Sequence, residues 1–183
     1  VLRDADTAMY RAKAAGKSGF VIFDDAMHQE ALSRLQLETD FRLAVERSEF
    51  QLHYQPIIEI ATGRLVGAEA LMRWRHPVRG LLPPSEFLAV AEETGLIVDM
   101  DAWGLREACR QLADWRSRFP EHAGLTMNVN VDERQMLSPE IVEEVFSLLQ
   151  SNRLAPASVR LEVTETAFRA GREGAVSSLG AMQ

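Results

Sequence analysis

The sequence predicts an α/β protein that holds the first half of a (β/α)8 TIM-like barrel with an antiparallel first strand. After residue 65, strand and helix patterns alternate with connections of the length found in parallel βαβ units. Just before, two strand-like segments are joined by the short turn 61–64, which requires an antiparallel hairpin. This region supplies four predicted strands in about 140 residues, whereas a closed barrel needs about 250. Half a barrel is therefore predicted.

Hydrophobic periodicity and capping residues predict the individual elements. Apolar residues three and four apart favour helices, apolar–polar alternation favours strands, and Gly16 and Gly95 end two of the helices. The helices are predicted at 4–15, 26–47, 83–93, 101–119, 139–152 and from Gly174 onward, and the strands at 19–23, 50–60, 65–74, 125–131 and 159–166. His76 to Gly80 is predicted to be a loop. No Pro- or Ser-rich linker follows the second helix, so its junction with the next strand is predicted to be stiff.

Composition and charge exclude several classes of function. The net charge of −7 argues against binding a nucleic-acid polymer through a basic surface. The single cysteine, Cys109, excludes an internal disulfide and indicates a reducing compartment, which predicts a cytoplasmic location. No apolar run reaches the roughly 20 residues that span a bilayer. The chain begins at Val1 and ends at Gln183 within a predicted helix, so we expect a longer protein, which absent N-terminal regions could still anchor to a membrane.

Three predicted strands each carry a polar side chain in an unexpected position, namely Glu69, Asn130 and Glu162. Alternation gives each strand an aliphatic face for covering helices and an opposite face with hydrogen-bonding groups. In a barrel the second face points inward, and sites lie at the carboxyl ends of the strands. Two carboxylates and an amide oxygen suit Mg²⁺, Mn²⁺ or Ca²⁺ better than Zn²⁺. One strand carboxylate alone is more often solvated or ion-paired, but three groups on corresponding faces favour a metal site.

Several motifs, in order along the chain, give it a resemblance to the EAL-domain cyclic di-GMP phosphodiesterases. The motifs are Tyr54-Gln55-Pro56, Glu69-Ala70-Leu71-Met72-Arg73-Trp74, His76-Pro77, Ala91-Glu92-Glu93-Thr94-Gly95-Leu96-Ile97, Asn130-Val131-Asp132-Glu133-Arg134-Gln135 and Glu162-Val163-Thr164-Glu165. The family fold is a (β/α)8 barrel with an antiparallel first strand, as the hairpin predicts independently. The resemblance covers about residue 41 to the end of the chain.

The resemblance implies a role for each site residue. It implies that Glu69, Asn130 and Glu162 bind Mg²⁺ or Mn²⁺, that Arg73 contacts a phosphate, that Gln55 and Leu71 line the nucleotide pocket, and that Glu165 supports a loop. The family usually has Leu-Ser after the asparagine, where this chain has Val131-Asp132. The family's Asp-Asp-Phe-Gly-Thr-Gly loop and catalytic Lys would lie beyond Gln183, so we expect the fragment alone to be inactive.

The N-terminal segment 4–17 resembles the last helix of GGDEF-domain diguanylate cyclases, in which the positions of Lys13 and Lys17 contact GTP phosphates. The resemblances imply three parts: the end of a GGDEF domain at 1–25, a helical linker at 26–40, and the first part of an EAL domain at 41–183. A helix–strand remnant of a cyclase domain would then precede the half barrel. For the two lysines of this chain we favour the alternative of a solvated helix face, with their charges near the C-terminal end of the helix dipole.

Two functions follow from the resemblance. The first is a bacterial signalling enzyme that hydrolyses cyclic di-GMP to the linear dinucleotide, and that forms a homodimer as the full-length protein. The second is a module that binds cyclic di-GMP without cleaving it and signals to a partner. The presence of Glu69, Asn130 and Glu162 favours the enzyme. An unrelated barrel with coincidental strand carboxylates is disfavoured by the density of motifs.

Overall fold

The computed structural model describes residues 25–136, 138 and 140–163. The predicted elements at 4–15, at 19–23 and from Gly174 onward, together with Glu165, lie outside the described residues. In chain order the elements are α1 (Asp25–Glu46), β1 (Phe50–Ile58), β2 (Leu65–His76), β3 (Gly80–Leu82), α2 (Pro84–Thr94), α3 (Ile97–Arg118), β4 (Thr126–Asn130), α4 (Glu133–Met136), α5 (Ile141–Ser151) and β5 (Val159–Glu162). Single 3₁₀ turns at Pro120–His122 and Pro156–Ser158 precede β4 and β5.

The strands form one mixed sheet in the order β1-β2-β4-β5. β1 and β2 pair antiparallel, which confirms the predicted hairpin. β2, β4 and β5 are mutually parallel, and helices lie in the connections between them, as βαβ units require. The α/β class is therefore confirmed, and the closure of this sheet into half a barrel stays a prediction.

Three elements differ from those predicted. Residues 77–79 form the predicted loop, but Gly80 then begins β3, a strand that was not predicted and that pairs antiparallel with the end of β2. β3 has only three residues, too few for an alternating pattern to be visible. α3 begins at Ile97 instead of 101, because Gly95 ends α2 with a left-handed φ of 76° and the chain can begin a new helix two residues later. The short helix α4 was not predicted.

Burial follows the predicted strand faces. Ala68, Ala70, Met127 and Val129 are buried, and they pack with α3 and α5 in one core cluster. Cys109 of α3 belongs to the same cluster, and its burial raises the pKa of the thiol to about 11, so it is a protonated core side chain at neutral pH. Covering helices thus occupy one face of the sheet, as predicted, and the polar side chains lie on the other.

A second core cluster joins α1 and α2 to the β1–β2 hairpin. Its centre is a group of aromatic rings, in which Phe41 of α1 lies edge-on to Phe50 and Trp74, with centroids 5.3 Å and 5.4 Å away. Phe87 of α2 also belongs to this group, with its ring centroid 5.8 Å from that of Phe41. α1 is one continuous helix from Asp25 to Glu46, and Leu37, Phe41 and Ala44 in its second half are all buried.

Among the described helices, none is both long enough and apolar enough to cross a membrane.

Candidate functional site

Glu69, Asn130 and Glu162 lie on three adjacent parallel strands, on the face away from the covering helices. In the register of the sheet, Asn130 of β4 is beside Glu162 of β5, and Asn128 of β4 is beside Glu69 of β2. We call the sheet face that carries Glu69, Asn128, Asn130 and Glu162 the polar face. Parallel pairing with this register brings residues from widely separated parts of the sequence side by side on one face of the sheet.

Two hydrogen bonds connect the amides of β4 to the carboxylates on either side. Asn130 Nδ2 donates to Glu69 Oε1 at 2.9 Å, and Asn128 Nδ2 donates to Glu162 Oε1 at 2.5 Å. The structure therefore brings two of the predicted residues into direct contact. The third, Glu162, accepts a hydrogen bond from Asn128, which is not among the predicted site residues. The available signal was its position two residues before Asn130, on the same strand face.

The other residues predicted to bind the nucleotide lie along the β1–β2 hairpin. Gln55 of β1 is the register partner of Glu69, and it is exposed. Leu71 and Arg73 follow on the same face of β2 and are partly buried. Arg73 Nη1 donates to the carbonyl of Met72 at 2.7 Å, and no carboxylate of the described chain lies within ion-pair distance of its guanidinium. Its remaining N–H groups can therefore donate hydrogen bonds to an anionic ligand.

A cavity of about 560 Å³ lies beside the middle of β2 and the carboxyl ends of β4 and β5. Leu71, Asn130 and Glu162 are among its lining residues, and α2 and α3 contribute side chains such as Leu88 and Met100. The lining thus combines apolar side chains with a few convergent polar groups, which is the usual character of a small-molecule pocket. Gln55, Glu69 and Arg73 do not line this cavity, so the structure divides the predicted site residues between the cavity and the adjacent hairpin surface.

The loop after β4 is held by a carboxylate of α3. Asp101 Oδ2 accepts a hydrogen bond from the backbone N–H of Asp132 at 2.7 Å, and only 8% of Asp101 is exposed. Burial raises the pKa of Asp101 from 3.8 to about 7, with the Asp132 N–H acting in the opposite direction and the Asp132 carboxylate adding to the rise. Arg134 Nη1 also donates to the carbonyl of Glu92 in α2. The segment that follows Asn130 is therefore fixed to both α2 and α3.

The raised pKa of Asp101 predicts a pH-dependent stability. Between about pH 3.8 and about pH 7 the folded state holds a proton that the unfolded chain has released. The contribution of Asp101 to the free energy of unfolding is therefore full below about pH 3.8 and is lost as the pH rises through its folded-state pKa of about 7. Asp101→Asn resembles the protonated acid and can still accept from Asp132. We therefore expect its urea midpoint, relative to wild type, to be higher near pH 8 than near pH 5.5.

Asp99→Asn, which changes an exposed residue of the same helix, is the control for the removal of one carboxylate. An equal offset for Asp101→Asn at both pH values would show that Asp101 does not titrate there.

The side-chain atoms available as ligands determine which kind of metal ion could bind at the polar face. Within residues 25–136, 138 and 140–163, no three side chains of His, Cys, Asp or Glu come together. The polar face offers instead two carboxylates, each with one oxygen engaged by an amide, and the amide oxygen of Asn130. An all-oxygen set of this kind fits Mg²⁺ or Mn²⁺, which keep several waters and need few protein carboxylates, and it does not fit a structural Zn²⁺ site.

Comparison with known proteins supports the same interpretation. A family model described as the EAL domain matches residues 38–180. MucR of Pseudomonas aeruginosa, named a bifunctional diguanylate cyclase/cyclic di-GMP phosphodiesterase, is 43% identical over 167 residues, which cover 91% of this chain and 24% of MucR. PdeR of Escherichia coli, named a cyclic di-GMP phosphodiesterase, is 37% identical over 177 residues, covering 97% of this chain and 26% of PdeR.

A solved structure described as the PaMucR phosphodiesterase in complex with c-di-GMP superimposes with a TM-score of 0.75 at 39% identity, covering 80% of this chain and 59% of that chain. The chain spans about a quarter of the length of the two curated relatives.

Proposed function

The chain belongs to the EAL domain family, and from this membership we propose that its protein hydrolyses cyclic di-GMP to the linear dinucleotide. The observation that carries the proposal is the polar face, where Glu69, Asn130 and Glu162 lie on adjacent strands beside a cavity of about 560 Å³. Two relatives, MucR and PdeR, are named as cyclic di-GMP phosphodiesterases, and the PaMucR structure is a complex with c-di-GMP. Both findings support the proposal.

Glu69, Asn130 and Glu162 would hold a Mg²⁺ or Mn²⁺ ion. When bound, the ion supplies a Lewis acid for a phosphate oxygen and lowers the pKa of a water ligand. The chain's own contribution would be the second carboxylate oxygens of Glu69 and Glu162 and the amide oxygen of Asn130, because one oxygen of each carboxylate already accepts a hydrogen bond from an amide of β4.

Other residues would orient the nucleotide. Arg73, whose guanidinium makes only the bond to the Met72 carbonyl among the described residues, would bind a phosphate, and Gln55 and Leu71 would line the nucleotide pocket. Glu165, which lies outside the described residues, would support a loop of the site.

For the domain organisation we propose that residues 1–25 are the end of a GGDEF domain, that 26–40 form a helical linker, and that 41–183 are the first part of an EAL domain. We further propose that the full-length protein is a homodimer with a cytoplasmic location.

The test of the function is turnover by the full-length protein. Incubation with cyclic di-GMP and Mg²⁺ or Mn²⁺ should yield the linear dinucleotide, and a chelator should stop the reaction. Binding of cyclic di-GMP without any turnover under these conditions would contradict the hydrolase and favour the non-catalytic binding module.

Arg73→Ala is expected to raise KM for cyclic di-GMP by about 10-fold or more, since a charge-assisted hydrogen bond to a phosphate contributes about 1.5–3 kcal/mol. Arg106→Ala is the matched control, because Arg106 is an exposed arginine of α3 paired with Glu144. Cys109→Ala should change stability and leave KM unaltered. Steady-state kinetics of the three variants check this, and equal rises in KM would remove Arg73 from the binding site.

A further inference from the structure

Asn128 lies at the centre of the polar face, and we propose that it is a positioning residue that fixes the carboxylate of Glu162 for metal binding. The inference rests on the proposed function, since it takes Glu162 to be a ligand. Asn128 is flanked in register by Glu69 on β2 and by Arg160 on β5. It reaches Glu162 diagonally, two residues further along β5, through the 2.5 Å hydrogen bond from Nδ2 to Oε1.

The orientation of the Asn128 amide is determined by its partner. An ionised carboxylate only accepts hydrogen bonds, so the nitrogen of the amide must face Glu162 and the oxygen must face away. That oxygen, Oδ1, is buried and has no donor among the described residues. A buried acceptor without a donor destabilises a fold, so packing alone gives no reason for an amide at this position. The role of the Asn128 amide is therefore the hydrogen bond that its nitrogen donates to Glu162.

The consequence for Glu162 is a carboxylate with one oxygen fixed by Asn128 and the other without a hydrogen-bond partner among the described residues. A ligand whose orientation is set before the ion arrives loses less side-chain freedom on binding, and such supporting partners change metal affinity strongly. Asn130 makes the equivalent bond to Glu69 on the opposite edge of β4. β4 therefore supplies both amides, but Asn130 is exposed at the end of the strand, where its own oxygen can reach an ion, whereas the oxygen of Asn128 is buried.

Asn128→Leu tests the role of the hydrogen bond, because leucine has a similar volume and can neither donate nor accept. In the full-length protein without cyclic di-GMP, the Kd for Mn²⁺, measured from the EPR signal of free Mn²⁺, is expected to rise about 10- to 100-fold. Asn128→Ala, which cannot overpack the strand, should show the same rise. Thr126→Ser, on the same strand and the same face, keeps the hydroxyl that donates to the carbonyl of Val66, and as the control it should bind Mn²⁺ as wild type does.

A double-mutant cycle separates this inference from the proposed function. If Asn128 acts through Glu162, Asn128→Leu should add no further loss of Mn²⁺ affinity in a Glu162→Gln background. Weak binding by Glu162→Gln together with unchanged or fully additive binding by Asn128→Leu would overturn the inference and leave Glu162 as a ligand. Wild-type Mn²⁺ binding by Glu162→Gln would instead contradict the ligand assignment in the proposed function, and the positioning role would fail with it.

Discussion

Glu69→Ala is expected to lower the turnover of cyclic di-GMP by at least about 10²–10³-fold, the range seen when one group that stabilises transition-state charge is removed. Glu69 is the proposed ligand on β2, and Asn130 already holds one of its oxygens at 2.9 Å. The fold should persist, because Glu69 is only partly buried and its carboxylate makes this one hydrogen bond within the described chain. The loss of one such bond costs about 0.5–1.5 kcal/mol.

The control is Glu121→Ala, which removes an exposed carboxylate from the 3₁₀ turn before β4 and should leave kcat unchanged. Initial rates of linear dinucleotide formation at saturating metal compare the two variants with wild type. Near-normal turnover by Glu69→Ala would mean that Glu69 is not a ligand, and the proposed function would lose its main residue.

Strand alternation predicts the candidate site residues, because it is insensitive to small errors in the ends of elements. It places Glu69, Asn130 and Glu162 opposite aliphatic residues on their own strands, and a period of two assigns faces without knowledge of tertiary contacts. The structure gives the same faces: Ala68, Ala70, Met127 and Val129 are buried against the helices.

What the sequence could not predict are polar contacts between distant positions. Asn128 reaches Glu162 across 34 residues, and Asp101 reaches Asp132 across 31. His76 is buried at the end of β2, where Nδ1 accepts the backbone N–H of Val78 at 3.1 Å and Nε2 lies 3.2 Å from Asp40 Oδ2 on α1. Each contact depends on strand register and helix placement, which a local pattern does not encode. β3 was not predicted because its three residues are too few to show the alternation of apolar and polar residues that marks a strand.

The register of β2 against β4 depends on a close approach at Gly67. A Cβ built at Gly67 would lie 2.7 Å from the backbone oxygen of Thr126 and 2.5 Å from its Oγ1. The carbonyl belongs to the strand that pairs with β2, so the clash cannot be relieved by rotating a side chain. Thr126 is the register partner of Gly67, and two residues later Glu69 lies beside Asn128. Glycine at 67 thus permits the strand separation that aligns the polar face.

Gly67→Ala is therefore expected to destabilise the domain by about 1–3 kcal/mol, the usual cost of overpacking an interior, because β4 must move away from β2 to admit the methyl group. The movement also separates Asn130 from Glu69, so turnover should fall even in the fraction that remains folded. Gly124→Ala is the matched control, since a Cβ at Gly124 meets nothing within 4 Å. Urea midpoints followed by tryptophan fluorescence, with initial rates on the same samples, compare the two variants. Equal midpoints would show that the strands tolerate a side chain at 67 and that the alignment of Glu69 with Asn130 does not depend on this close approach.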